Sequence, residues 1–152
     1  MKEPSRLNSI HLLYRPMSDV LLSGVAEANK AGYPLAVFET FRSPARQDQI
    51  YAQGRTTPGK IVSNARAFQS WHQYGIAADI ALFDDGRWSW DFDPKKISQF
   101  FDLDKLIWGG TFKSPDGPHY EWRKKPSLVV SEALVKSQGI LRFWAELDAL
   151  AS

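Results

Sequence analysis

The segment Ser70-Trp-His-Gln-Tyr-Gly-Ile-Ala-Ala-Asp79 places a histidine and a glycine ahead of an apolar run that contains an aspartate. That run, 77–83, predicts a short buried strand, and its period-two alternation puts Asp79 on one face with Ala77 and Ala81. A carboxylate inside an apolar strand needs a partner because burying an unpaired charge is costly. Asp79 is therefore expected to be hydrogen-bonded, paired with a cation or bound to a metal.

A second segment, Asp116-Gly-Pro-His-Tyr-Glu-Trp122, follows about forty residues later. Alternation puts His119 and Glu121 on one face of another predicted strand. Two strands can aim Asp79 and His119 at one point, while His72 arrives from the preceding loop. Two imidazoles and a carboxylate are a ligand set of catalytic zinc sites, which keep one position open. The sequence therefore predicts a metal site at His72, Asp79 and His119.

Ordinary structural roles are the alternative for each of these residues. The chain has three histidines, and two of them fall inside the two segments, which favours the metal site. His11, in a polar N-terminal stretch, is expected to be an ordinary surface residue. The ligand set alone would also accept cobalt, nickel or manganese.

Taken together, the two segments resemble the zinc peptidases of the D-Ala-D-Ala carboxypeptidase and L-alanyl-D-glutamate endopeptidase family, which cut the peptide stems of bacterial peptidoglycan. The stretch 41–47, Phe-Arg-Ser-Pro-Ala-Arg-Gln, is similar to that family's (Tyr/Phe)-Arg-Ser-x-x-x-Gln segment. Trp108-Gly-Gly-x-Phe112 is similar to its Trp-Gly-Gly-x-Trp, with Phe112 as a conservative departure. The resemblance covers about residues 35–122, and the stretch 59–66 is most similar to the endopeptidase branch found in phage endolysins.

The resemblance implies zinc on His72, Asp79 and His119, with Asp116 as the catalytic base. In that reading, Asp116 takes a proton from a zinc-activated water and passes it to the leaving amine. Glu121 is expected to orient a histidine ligand through its other ring nitrogen, as metal-bound histidines usually require.

Three more residues are expected to bind or position substrate. The resemblance favours Arg42 as the residue that holds a substrate carbonyl or carboxylate or stabilises the oxyanion, and a structural salt bridge is its alternative. Gln47 is expected to brace Arg42 and to contribute to substrate binding. Ser70 is expected to hydrogen-bond the stem peptide, with N-capping as its alternative.

The remaining pattern predicts an α+β fold, a small and mostly antiparallel sheet flanked by helices with the zinc site on the sheet in a cleft. Ser18 is a good N-cap for a helix that ends before Gly32 and Pro34. The other predicted elements are a strand over 35–41, a helix from Ser43 to about Gly54, a loop over 54–69, a hairpin of 78–83 with 87–90, and a helix over 94–106.

The length of 152 residues suits a single peptidase domain over 1–152, with a core at 18–122 and a helical tail at 126–151 that is kinked near Gly139. The absence of cysteine excludes disulfides and a thiol nucleophile. A net charge of +2 is too small to indicate nucleic acid binding. No stretch is long enough for membrane insertion, and the N-terminus lacks the apolar run of a signal peptide. We therefore expect a monomer made in the cytoplasm that reaches the cell wall through a membrane lesion or at lysis.

Three functions remain open from the sequence. They are an L-alanyl-D-glutamate endopeptidase, a D-Ala-D-Ala carboxypeptidase with the same site, and a zinc-containing binding module without catalysis, because the resemblance extends in fold to the hedgehog signalling domain. Asp116 favours an enzyme, since a non-catalytic zinc domain has no need for a base beside its second histidine.

Overall fold

A computed structural model describes residues 5–152 and has a mixed helix and sheet architecture, as the sequence predicted. The helices of this described part are α1 (Arg15–Lys30), α2 (Pro44–Ala52), α3 (Pro94–Ser98), α4 (Leu128–Gln138) and α5 (Ile140–Ala151). Its strands are β1 (Leu35–Glu39), β2 (Ala77–Asp84), β3 (Arg87–Ser89), β4 (Leu106–Trp108) and β5 (His119–Trp122). Short 3-10 turns occupy Ile10–Leu12, Trp71–Tyr74 and Gly109–Thr111.

The five strands form one sheet in the order β1-β2-β5-β4, and β3 pairs with the far end of β2. Every pairing is antiparallel. The pairing of β1 with β2 contains a bulge between Val37 and Glu39, so Phe38 is an extra residue in β1. Strand β2 is the centre of the sheet, because it pairs with three others.

One face of the sheet carries the hydrophobic core. Ile80 of β2 and Tyr120 of β5 are fully buried there, together with Met17 and Leu21 of α1. Phe143 and Leu147 of the C-terminal tail belong to the same core. The residues that alternate with Ile80 and Tyr120, namely Asp79 and His119, therefore lie on the opposite face of the sheet.

Several predicted boundaries are confirmed. Helix α2 begins after Ser43, whose hydroxyl accepts a hydrogen bond from the Arg46 amide, and residues 54–69 form an irregular loop apart from one isolated bridge. The hairpin of β2 and β3 turns at Asp85 and Gly86. The tail breaks at Gly139, which has a φ of 89°.

Two predicted helix boundaries are wrong. Helix α1 begins at Arg15 rather than after Ser18, and the Ser18 hydroxyl donates to the Arg15 carbonyl inside the first turn. The helix predicted over 94–106 ends at Ser98. Its last part is instead the start of β4, because Leu106 pairs with Trp122 at the edge of the sheet. Apolar residues at 97, 100, 101 and 103 also suit a turn that packs into the core, so their spacing did not distinguish the two.

No helix in residues 5–152 combines the length and the apolar character required to cross a bilayer.

Candidate metal centre

The pairing of β2 with β5 puts Asp79 directly opposite His119. Because directly opposed residues point to the same face of a sheet, both side chains project from the face away from the core. The Asp79 Oδ1 atom lies 3.2 Å from Nδ1 of His119 and 3.4 Å from Nε2 of His72. One carboxylate oxygen thus faces both imidazoles.

His72 is held in place by the 3-10 turn that contains it. Ser70 and Gln73 form a capping box at the start of this turn, and Gly75 ends it in the left-handed conformation with a φ of 65°. The Nδ1 atom of His72 lies 2.7 Å from the Thr40 carbonyl, to which only an N–H can donate. The other ring nitrogen, Nε2, is therefore free of a proton in the neutral ring and faces Asp79.

His119 has the reverse arrangement. Its Nε2 lies 2.9 Å from Glu121 and its Nδ1 faces Asp79. Glu121 in turn accepts a hydrogen bond of 3.0 Å from Lys125. Each histidine thus has one ring nitrogen fixed by a partner and the other turned towards Asp79, as ligating histidines usually do.

The electrostatics of the three residues are strongly coupled. Burial alone would raise the pKa of Asp79, but the charges and hydrogen bonds of His72 and His119 hold it well below its usual value. Burial alone would lower the pKa of His119, but hydrogen bonds to Asp79 and Glu121 raise it to about 10. The carboxylates of Asp79 and Glu121 therefore favour a positive charge at His119.

A metal ion fits this set. His72, Asp79 and His119 each offer one donor atom, and the three atoms lie within 4.8 Å of one another. Two nitrogens and one carboxylate oxygen suit zinc, and the Thr40 carbonyl and Glu121 supply the outer partners. The predicted ligands are thus brought together.

Arg42 lies beside this centre and is buried. Its guanidinium donates to Glu39 at 2.7 Å, to Gln47 at 2.9 Å and to Asp79 at 3.3 Å. Gln47 is fully buried and also donates to the carbonyl of Ala65. The structure therefore brings Arg42 and Gln47 together as predicted, with most of the guanidinium engaged by protein groups.

Asp116 is solvent-accessible and lies in the turn that leads into β5. Its carbonyl accepts a hydrogen bond from the His119 amide, and its own amide donates to Gly109. Desolvation, and then the negative charge of Asp79, raise the pKa of the Asp116 carboxyl. The Asp116 carboxylate therefore interacts electrostatically with Asp79.

The Trp108-Gly-Gly stretch shapes this turn. The Trp108 indole donates to the Gly117 carbonyl at 2.7 Å. A Cβ added at Gly109 would lie 2.3 Å from the Asp116 carbonyl oxygen and 3.0 Å from the His119 Cβ. Phe112, the departure noted in the sequence, packs its ring 5.7 Å from the His119 ring.

The sequence analysis missed Glu39, Thr40 and Lys125. Glu39 is buried and pairs with Arg42 and Arg46 at 2.7 Å each. Glu39 lies in an apolar strand three residues before Arg42, and this pattern could have predicted their ion pair. The spacing of four between Glu121 and Lys125 could likewise have predicted theirs. The Thr40 contact uses a main-chain carbonyl, so no residue type could have revealed it. Ser70, by contrast, was predicted to bind substrate, and its hydroxyl here accepts from the His72 amide at 3.4 Å.

Comparison with known proteins identifies the family of this chain. A family model described as D-alanyl-D-alanine carboxypeptidase matches residues 63–122. The peptidoglycan L-alanyl-D-glutamate endopeptidase CwlK of Bacillus subtilis (strain 168) is 36% identical over 126 residues, which cover 75% of this chain and 74% of CwlK. The chain belongs to this family of peptidoglycan peptidases, in which carboxypeptidases and endopeptidases are related.

Solved structures share the fold. The L-Ala D-Glu endopeptidase ChiX of Serratia marcescens aligns with a TM-score of 0.56 and 22% identity, over 80% of this chain and 92% of ChiX. A variant of the vancomycin-resistance D,D-pentapeptidase VanY, in complex with Zn(II), aligns with a TM-score of 0.50 and 16% identity, over 87% of this chain and 81% of that chain.

Proposed function

We propose that the chain is a zinc-dependent peptidase that hydrolyses the peptide stem of bacterial peptidoglycan, at the bond between L-alanine and D-glutamate. The observation that carries the proposal is the convergence of His72, Asp79 and His119 on one point of a partly open sheet face. The Asp79 side chain is 16% exposed, so the centre is accessible from solvent.

Zinc is the proposed metal because the donor set suits it and because the related VanY variant binds Zn(II). When bound, zinc would polarise the scissile carbonyl and lower the pKa of a water molecule to about 7. The protein itself supplies the two imidazole nitrogens and the carboxylate oxygen.

Asp116 is the proposed general base. It precedes His119 by three residues in the turn that leads into β5, and the charges of Asp79 and His119 act on its carboxyl group. It accepts the proton of the attacking water and donates it to the leaving amine.

Arg42 is proposed to act from beside Asp79, where its positive charge stabilises negative charge that develops on the substrate carbonyl. Its guanidinium is fixed there by hydrogen bonds to Glu39 and Asp79. Gln47 orients the guanidinium, and we propose that Ser70 contacts the stem peptide at the edge of the site.

The choice of bond rests on the relative CwlK, whose identity of 36% exceeds the 22% and 16% of the solved structures. A D-Ala-D-Ala carboxypeptidase is the second candidate, because the matching family model carries that description. We also propose one catalytic domain, since Phe143 and Leu147 of the tail complete the core beneath the site. An origin as an endolysin, and action as a monomer, remain predictions.

Mass spectrometry of purified peptidoglycan after digestion with the zinc-loaded protein tests the proposal, with a chelator-treated sample as control. New N-terminal D-glutamate, with L-alanine left on muramic acid, is the expected product. Release of free D-alanine would instead establish the carboxypeptidase. The absence of any metal-dependent product would leave a binding module as the better description.

A further inference from the structure

Four aromatic side chains pack together beside the metal centre. Phe38 contacts Trp88 and Trp90 edge to face, with ring centroids 5.0 and 4.7 Å apart, and Phe83 lies 4.6 Å from Trp88. We call this group, Phe38, Phe83, Trp88 and Trp90, the aromatic surface. None of the four belongs to the hydrophobic core or to the residues packed against it.

The aromatic surface lies on the same face of the sheet as the metal ligands. Phe83 and Asp79 are four residues apart in β2 and therefore point to the same side, and Phe83 pairs with Trp88 of β3. Ala81 lies between Asp79 and Phe83 on this side and is fully buried. Because its side chain is small, large rings can lie above it.

The surface and the centre are continuous. Phe38 precedes Glu39, which pairs with Asp79, so the surface begins next to the centre. It extends along β2 to Phe83, about 13 Å from Asp79 at 3.3 Å per residue.

Part of the surface is open to solvent. Trp90 is 50% exposed and Phe83 is 42% exposed. The Arg6 guanidinium stacks 3.9 Å from the centroid of Phe38 and donates to its carbonyl. The rings are held by one another, so a ligand that stacks on them loses little of its binding free energy to ordering the protein.

We propose that the aromatic surface binds the sugar ring of the glycan strand to which the stem peptide is attached. A pyranose has an apolar face of C–H groups that can pack on an indole, and hydroxyl groups that can accept hydrogen bonds from a guanidinium such as that of Arg6. The inference rests on the proposed function and specifies which part of the substrate lies on which side of the metal centre.

Chain length supports this assignment. In peptidoglycan, a single alanine separates the L-alanyl-D-glutamate bond from the lactyl ether of muramic acid. At about 3.5 Å per extended residue, the sugar then lies roughly 10 Å or less from the metal centre, within the span of the aromatic surface. Cleavage at the terminal D-alanine would put four residues, about 14 Å, before the lactyl group and carry the sugar beyond Phe83.

The test uses the zinc-loaded full chain, its Trp90→Ala variant, and Leu141→Ala as a control at an exposed apolar position in α5. Hydrolysis is measured on a disaccharide-pentapeptide and on the same pentapeptide with an N-acetyl group in place of the sugar. We expect Trp90→Ala to raise KM for the sugar-bearing substrate about fivefold to tenfold, with kcat and the sugar-free substrate unchanged. Binding of the peptide-free disaccharide, measured by titration, should weaken in parallel, and Leu141→Ala should match the wild type throughout.

The inference would be overturned if Trp90→Ala and the wild type had the same ratio of KM for the sugar-bearing substrate to KM for the sugar-free one, and bound the disaccharide equally well. The proposed function would then remain intact. Conversely, a wild type that cleaves neither substrate would overturn the proposed function. The disaccharide titration would then still test whether the aromatic surface binds sugar, because it needs no turnover.

Discussion

At Gly109, the absence of a side chain allows the turn before β5 to pass close to β4. The Asp116 carbonyl occupies the space that a methyl group would need, at 2.3 Å from an added Cβ. The metal centre therefore depends on a residue that contacts neither metal nor substrate.

We expect Gly109→Ala to displace the turn of Asp116, to lower the free energy of unfolding by about 2 kcal/mol through overpacking, and to reduce turnover. Thermal unfolding and a hydrolysis assay measure the two effects. Gly32→Ala is the control, because Gly32 has open space but a φ of 94°, so that variant should lose stability and keep its turnover. Unchanged turnover in Gly109→Ala would show that the turn can shift without cost.

Asp116→Asn is expected to retain zinc and to lose hydrolysis by roughly 100-fold or more, because the amide cannot accept the proton of the attacking water. His72→Ala should lose both zinc and hydrolysis. Metal content by atomic absorption and product formation by chromatography separate the two variants. Wild-type turnover in Asp116→Asn would assign the base to another group.

The proposed ligands could be predicted from sequence because each belongs to a motif with a strong residue-type signal. His72, Asp79 and His119 are the expected residues, and the alternation of β5 correctly placed Glu121 beside His119. What could not be predicted is the contact of the His72 ring with the Thr40 carbonyl, since a main-chain acceptor 32 residues away leaves no trace in residue identity.

Between β5 and α4, Lys125 anchors Glu121 and lies 4.9 Å from the centroid of the Trp71 ring. This side chain is 9% exposed, so its ammonium is held in place rather than solvated. The chain Lys125–Glu121–His119 thus links the loop after β5 to the ligand.

We expect Lys125→Met to weaken zinc binding about tenfold, because Glu121 then holds the His119 ring less firmly. Competition with a chromophoric chelator measures the affinity. Lys124→Met, at the exposed neighbouring position, is the matched control and should bind zinc as the wild type does. Equal zinc affinity in both variants would restrict Lys125 to a packing role.

The β1–α2 junction is held by the ion pairs of Glu39 with Arg42 and Arg46. Burial alone would raise the pKa of Glu39, but Arg42 and then Arg46 lower it below its usual value of 4.5. A carboxyl with a lowered folded pKa contributes stability above its unfolded pKa, and that contribution is lost as pH falls through the folded value.

We therefore expect the free energy of unfolding of the wild type to fall as pH drops below about 4.5, and to fall less steeply in Glu39→Gln. At pH 7 the variant should be less stable by about 3 kcal/mol, because the largely buried guanidinium groups of Arg42 and Arg46 lose the Glu39 carboxylate. Urea titrations from pH 3 to 7 measure both effects, and parallel pH profiles would contradict the assignment.

Strands and helices differed in how well the sequence predicted them. The alternation in β2 and β5 is imposed by a sheet with one apolar face, so period two identified both strands. The helix predicted over 94–106 was too long, because the buried Phe101, in the turn after α3, continues the helix-like spacing of Ile97. The edge pairing of Leu106 with Trp122 depends on a distant strand.

At the scale of the whole molecule, hydrogen bonds connect helix α5 to the start of helix α1 and to the turn that contains His72. The Tyr14 hydroxyl donates to Asp148 at 2.7 Å, and the Trp144 indole donates to the Tyr74 carbonyl at 2.9 Å, in the turn that holds His72. Burial and the Asp148 carboxylate raise the pKa of Tyr14 to about 12.

Tyr14→Phe is expected to lower the free energy of unfolding by about 1 kcal/mol at pH 7. Because the folded pKa of Tyr14 is raised, this contribution is complete below pH 10 and is lost as pH rises through 12. Urea unfolding at pH 8 and pH 11 measures the difference. In the described part of the chain the buried Tyr120 hydroxyl has no partner, so Tyr120→Phe should cost little or nothing, and an equal loss in both variants would contradict the role of Asp148.

The bulge in β1 constrains which insertions and deletions the gene can tolerate. Because Phe38 is an extra residue, Glu39 returns to the face of Asp79 after Val37 has pointed to the core. If β1 paired regularly through Phe38, Glu39 would lie opposite Ala78 and its carboxylate would point towards the apolar layer, away from Arg42. A codon inserted or deleted elsewhere in 35–39 would therefore have to be absorbed by a change in this bulge, whereas the 54–69 loop has no such ladder to keep in register.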